Sequence, residues 1–178
     1  MTTERARRSG GRSTTDAVRL RAVHAQEPGP TVSRDVGASA EIVWSVLADG
    51  WTYGGWVFGT ANVMDVDSRW PAAYSTFRFT FGVWPLLFRD VTRVERSVRN
   101  RELVLTARAW PAGTSHIHLS LEPRSRTRCV VWLTEDVVSG PARLVPAFLR
   151  HLVLAPKNRE TLHRLALMAE GRASRGVS

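Results

Sequence analysis

From about residue 57 to residue 138 apolar side chains recur at every second position, in segments broken by turn residues. Only extended chain converts a period of two into one dry face, so the spacing predicts an antiparallel meander of about six strands. Phe77, Phe79 and Phe81 share one side, with Thr76, Arg78 and Thr80 on the other. Leu103, Leu105, Ala107 and Ala109 alternate with Val104, Thr106, Arg108 and Trp110, and Ile117, Leu119 and Leu121 alternate with His116, His118 and Ser120. WPAGT (110–114) and EPRSRT (122–127) have the length and composition of hairpin turns, which leaves a last strand at about 127–138.

The flanks follow other rules. TVSRDVG (31–37) is short, partly β-branched and closed by Gly37, which suits a strand. Ser39 is placed to cap a helix with Glu41 in its first turn, Val43, Val46 and Leu47 on one face, and Gly50 to stop it. After Gly140 and Pro141 the period becomes 3.6, with Leu144, Phe148, Leu152, Leu162, Leu165 and Met168 forming one stripe down to Glu170 and Gly171. Pro146 and Pro156 each remove a backbone donor, so this helix is expected to be bent or broken near them. GWTYGGWVFGT (50–60) is too rich in glycine for a helix interior and too aromatic for a solvated loop. The elements add up to an α+β fold in which a curved antiparallel sheet wraps a long C-terminal helix and leaves a largely apolar pocket between them.

The longest apolar run, FGVWPLLF (81–88), is far shorter than the roughly 20 residues of a membrane span. One cysteine, Cys129, excludes an internal disulfide and a thiolate metal cluster, which fits a cytoplasmic location. The formal net charge is +9, yet of 25 basic residues only Lys157 is a lysine. That ratio reads as a compositional bias towards arginine rather than a nucleic-acid footprint, and no specific nucleic-acid partner is expected. Residues 1–29 carry six arginines, no aromatic residue and no apolar period, so they are expected to be a disordered tail capable of weak electrostatic surface contact. One domain is expected at 30–171, with a flexible tail at 172–178, as a monomer or homodimer.

Continuing the strand alternation through Leu86, Phe88 and Val94 puts Asp90 and Thr92 on the dry face, and the parity of Val131 and Leu133 puts Glu135 there. Carboxyls facing an apolar cavity have raised pKa values unless paired with an arginine, which makes Asp90 and Glu135 the candidate acid and base. A pairing of Asp90 with Arg78 or Arg108 would remove it from that role. His116 and His118 point to the same side of a strand but lack a third ligand, and their face is solvated. Cys129 shares the apolar parity and reads as a small hydrophobe. No phosphate loop, serine elbow or paired-cysteine motif occurs, and no metal or cofactor is expected.

ASAEIVWSVLADGWTYGGWVFGTANVMDVDSRWP (38–71), PLLFRDVTRV (85–94) and NRETLHRLALMAEG (158–171), in this order of elements, resemble the START-like, helix-grip (SRPBCC) superfamily, and more narrowly bacterial polyketide cyclase/dehydrase-like proteins. The resemblance covers roughly residues 31–171. It implies an elongated cavity between sheet and C-terminal helix, with Trp51, Tyr53 and Trp56 lining or roofing it. Tyr74 and the RFTF segment (78–81) stand where the family pattern is smaller or more polar, which implies a narrower pocket. The lining expected for a hydrophobic ligand is completed by Phe77, Phe79, Phe81, Phe88, Thr92, Leu105, Leu119, Leu133, Phe148 and Leu152. Three functions fit: binding of a lipid- or polyketide-like molecule, aromatase/cyclase-like catalysis with Tyr53 or Tyr74 as hydrogen-bond donor, and a structural or partner-binding role with the cavity filled.

Overall fold

The computed structural model describes residues 29–83, 86–109 and 113–175. Seven strands form one antiparallel sheet: β1 (Thr31–Val36), β2 (Thr60–Val66), β3 (Thr76–Val83), β4 (Leu86–Val98), β5 (Glu102–Ala109), β6 (Gly113–Ser125) and β7 (Arg128–Ser139). Their spatial order, β1-β7-β6-β5-β4-β3-β2, carries the first strand across to the far edge and leaves the other six as the meander that the alternation predicts. Register shifts at Val94/Arg96, Thr114/Ser115 and Pro123/Ser125, and two more in β2, are bulges of the kind that curl a sheet. The expected hairpin at 110–114 lies partly outside the described residues, as does the expected tail, of which only Gly29 is described.

Helix α1 (Ala40–Leu47) begins where Ser39 accepts a hydrogen bond from Ile42 N at 3.3 Å, and Val43, Val46 and Leu47 are buried. A 3₁₀ turn (Gly50–Thr52) leads into the one-turn helix α2 (Tyr53–Trp56), which contains Gly54 and Gly55. Here tertiary burial of Tyr53 and Trp56 outweighs the poor helix propensity of the two glycines.

Helix α3 (Ala147–Arg175) runs unbroken with Pro156 inside it, where the sequence predicts segments. Pro146 lies just before it, and its carbonyl accepts from Leu149 N and Arg150 N. The carbonyl that Pro156 deprives of a donor belongs to exposed Leu152, where water can satisfy it. The helix also passes the expected stop at Gly171. Glu170 accepts from Gly37 N at 2.9 Å, and Arg172 donates to Ser45 O and to Asp49 Oδ2, so part of the expected flexible tail is anchored helix.

The apolar stripe divides at Pro156. In the second half Asn158, Thr161, Leu162, Leu165, Ala166 and Ala169 are buried against the core. In the first half Phe148, Leu149, Leu152 and Val153 are exposed, with Phe148 at 65% and Leu152 at 67%. Phe148 and Leu152 therefore do not continue the buried core stripe as the spacing suggests. The core is a single buried cluster joining Val43, Leu47, Phe77, Leu103, Leu119, Val131, Leu162 and Leu165.

Leu165→Ala should therefore cost about 2–5 kcal/mol of unfolding free energy, whereas Phe148→Ala should cost under about 1 kcal/mol. Denaturant melts of the two variants measure the difference.

Candidate functional site

Reading the register across the concave face gives four successive rows. Leu103, Leu119, Leu133 and Val32 form the first, and Val94, Leu105, Ile117 and Glu135 the second. Phe77, Thr92, Ala107, Ser115 and Val137 form the third, and Phe79 with Asp90 the fourth. Polarity thus rises from a wholly aliphatic row towards the Asp90 end of the sheet. Leu105, Leu119 and Leu133 lie at the closed, aliphatic end and belong to the buried cluster that holds Leu162 and Leu165.

Tyr53 hangs from α2 over this face. Its ring lies 4.3 Å from that of Phe77, 5.5 Å from Phe79 and 4.9 Å from Trp56, and the chain of rings continues from Phe79 to Phe81 to Phe88. Tyr53, Trp56, Phe77 and Phe79 are buried, while Phe81 and Phe88 are half-buried and mark the open end of the row. Burial raises the Tyr53 phenol well above its ordinary pKa, helped by the negative charge of Glu135 and then of Asp90 and opposed by the Thr92 hydroxyl. Tyr53 is consequently a neutral hydrogen-bond donor at any physiological pH.

The two buried acids differ. Glu135 accepts from Lys157 Nζ of α3 at 2.6 Å and 2.8 Å through its two oxygens, a clamp between the last strand and the helix at the point where the apolar stripe divides. Asp90 is 7% exposed and accepts from Val91 N at 2.6 Å, and no ion pair to it occurs among the described residues. Desolvation pushes its carboxyl up to about 6, against the backbone hydrogen bond from Val91 and the positive charge of Arg108. Asp90 and Glu135 stand three strands apart across the sheet and two rows apart along it, with Tyr53 feeling the charge of both. Trp56 Nε1 and Asn158 Nδ2 are also buried without a hydrogen-bond partner among the described residues.

Several expected lining residues sit elsewhere. Trp51 is 62% exposed in the 3₁₀ turn before α2. Tyr74 is 63% exposed, at φ 69° in the turn before β3, with the Arg93 guanidinium 5.0 Å from its ring, so it narrows no pocket. Phe148 and Leu152 are exposed on the first half of α3, outside the buried core. Lys157 was not expected, although the only lysine in so arginine-rich a chain was a compositional signal. A lysine ammonium is a compact point charge on a flexible stem, suited to reaching a single buried carboxylate. His116 and His118 are exposed, His118 beside Glu102 at 3.2 Å, and Cys129 is fully buried. No group of His, Cys, Asp and Glu among the described residues is arranged to hold a metal ion.

Beneath the second half of α3 the contact is solid, with Leu162, Leu165, Ala166 and Ala169 buried to 1% exposure or less. Two open clefts lie away from Asp90. One, of 460 Å³, is bounded by Glu41, Trp44, Asp49 and Arg99, and the other, of 380 Å³, by Thr31, Ser33, Arg34 and Arg159.

No protein-family model and no curated protein matches the chain. Solved structures do. The Zhui aromatase/cyclase from Streptomyces sp. R1128 is 19% identical, over 84% of this chain and 94% of that one, with a TM-score of 0.60. A START superfamily protein from Mycobacterium smegmatis is 20% identical, over 82% of this chain and 97% of that one, at 0.59. The fold is START-like helix-grip. The di-domain ARO/CYC StfQ from the steffimycin biosynthetic pathway superimposes at 0.65 with 14% identity, over 90% of this chain and 56% of that one. At these identities the likeness concerns the helix-grip fold alone, and the site must be read from this chain's own residues.

Two substitutions probe the acids. The folded state holds the Asp90 proton more tightly than an unfolded aspartate with pKa 3.8, so the burden of ionising it is absent below that value, grows up to about 6 and is complete above. Asp90→Asn should stabilise the protein by roughly 2–3 kcal/mol at pH 8 and have almost no effect at pH 3.5, as read by paired denaturant melts. Lys157→Met strands the Glu135 carboxylate and should cost about 3–5 kcal/mol, most of it regained when Glu135→Gln is added.

Proposed function

We propose that the protein binds a hydrophobic small molecule, lipid- or polyketide-like, between the Asp90 end of the concave sheet and the helix. The observation that carries this reading is a buried carboxyl without an ion-pair partner among the described residues, set opposite Phe79 in a row of aromatic rings. Such a group costs stability in the protein alone, and a ligand hydroxyl or carbonyl hydrogen-bonded to it would offset that cost. The half-buried Phe81 and Phe88 offer apolar contact at the open end, and the neutral Tyr53 phenol offers a donor. The likeness in fold to aromatase/cyclases and to a START protein agrees with a small-molecule site.

A second reading is an aromatase/cyclase-like enzyme acting on a polyketide or related ketone, and the raised pKa of Asp90 favours it. A carboxyl poised near 6 takes a proton from carbon next to a ketone and returns it to a leaving hydroxyl within one pH range. Glu135, held by Lys157, then serves as structure rather than as the partner base.

Native mass spectrometry of the purified protein should show an apolar adduct, and uptake of a fluorescent fatty-acid analogue should be blocked by Phe79→Arg. A bare chain with no uptake contradicts the binding reading and favours a filled, structural interior. For the enzymatic reading, turnover of a ketide mimic should fall by about 10²–10⁴ in Asp90→Asn while that variant still binds, with a rate inflection near pH 6 in the parent.

A further inference from the structure

The first half of α3 and the turn before it expose Leu144 at 88%, Val145 at 41%, Phe148 at 65%, Leu149 at 41%, Leu152 at 67% and Val153 at 70%. Positions 148, 149, 152 and 153 follow helical spacing on α3, so they form one exposed apolar stripe, and Leu144 and Val145 continue it in the turn before the helix. No strand or helix among the described residues is placed to cover it. The arm is nonetheless held in position, because Arg143 donates to Val138 O and Arg150 to Val137 O at the end of β7.

The charge around this stripe is mainly positive, and Glu160, the acid at its far end, is paired with Arg164. Residues 137–159 contain no Asp or Glu, and they carry Arg143, Arg150, Lys157 and Arg159. Lys157 is spent on Glu135, but Arg143 and Arg159 are exposed at the two ends of the stripe, and Arg34 lies with Arg159 in the same cleft. An apolar helix face flanked by arginines, with its one neighbouring acid already paired, has the composition that settles at the boundary between headgroups and acyl chains. A second copy of this chain fits poorly, since a two-fold contact through this face would set arginines against arginines.

We propose that this arm docks on an anionic lipid surface, with Val145, Phe148, Leu149, Leu152 and Val153 entering the interface and Arg143 and Arg159 meeting the headgroups. No helix among the described residues is long and apolar enough to cross a membrane, so the contact is peripheral. It needs neither Asp90 nor a bound small molecule, and so stands or falls separately from the ligand site.

The test is co-sedimentation of the full chain with vesicles of phosphatidylcholine and phosphatidylglycerol, against phosphatidylcholine alone, at physiological ionic strength. The parent should prefer the anionic vesicles. Phe148→Gln combined with Leu152→Gln should weaken that binding at least about tenfold with an unchanged Tm, since both residues are exposed. Arg143→Gln with Arg159→Gln should remove the preference for anionic lipid. Three results would overturn the proposal. They are no sedimentation of the parent, undiminished binding by the Phe148→Gln, Leu152→Gln double variant, which would assign the contact to the Arg-rich residues 1–29, or a dimer in solution that the same double substitution dissociates.

Discussion

The second half of α3 meets a curved sheet through Leu162, Leu165, Ala166 and Ala169, and Lys157 fixes the near end of that contact by reaching Glu135 on β7. Burial supplies the attraction, roughly 25 cal/mol for each Å² of apolar surface removed from water, and the ion pair supplies register. Glu170 on Gly37 and Arg172 on Asp49 fix the far end. With both ends held, the helix cannot slide along the sheet, and its first half projects from the clamp with the outer side apolar. The solid grip, the polar end of the concave face and the exposed arm are three consequences of one placement.

Within that frame the two buried acids have separated roles. A carboxylate with its own ammonium costs little once paired, and so Glu135 serves as an anchor. Asp90 lies opposite Phe79 with the Val91 N–H and the charge of Arg108 only partly offsetting its desolvation, and its charge is costly near neutral pH. Folding tolerates such a group when the surrounding core over-compensates, and functional sites are where that tolerance is commonly used. Tyr53, raised by burial and by both acids, ties the two regions together because its ring packs on Phe77 and Phe79 while its hydroxyl lies beside Thr92.

Much of the fold is legible in the sequence because a period of two leaves no freedom. Once Phe77, Phe79 and Phe81 share a face, Asp90 and Thr92 follow from the pairing of neighbouring strands, and the two acids emerge this way. Helical spacing is less informative. Phe148 stands within about 40° of Leu162 around the helix axis, and hydropathy alone does not say which half of such a stripe meets a sheet. Tyr74 escapes the pattern because its left-handed backbone turns the ring outwards, which alternation along extended chain does not anticipate. Gly54 and Gly55 are helical through the burial of their neighbours. Lys157 is visible only as an oddity of composition, since a partner 22 residues away leaves no periodic trace.

At the polar end of an apolar wall stands a desolvated Asp90 with no ion pair among the described residues. Carbon-13 NMR titration of the Asp90 side-chain carboxyl in the folded protein, assigned by comparison with Asp90→Asn, measures this directly. A midpoint near 6 is the predicted result. A midpoint at or below the ordinary aspartate value of 3.8 would mean that Asp90 is solvated or ion-paired in solution, and the proposed site would lose its central group.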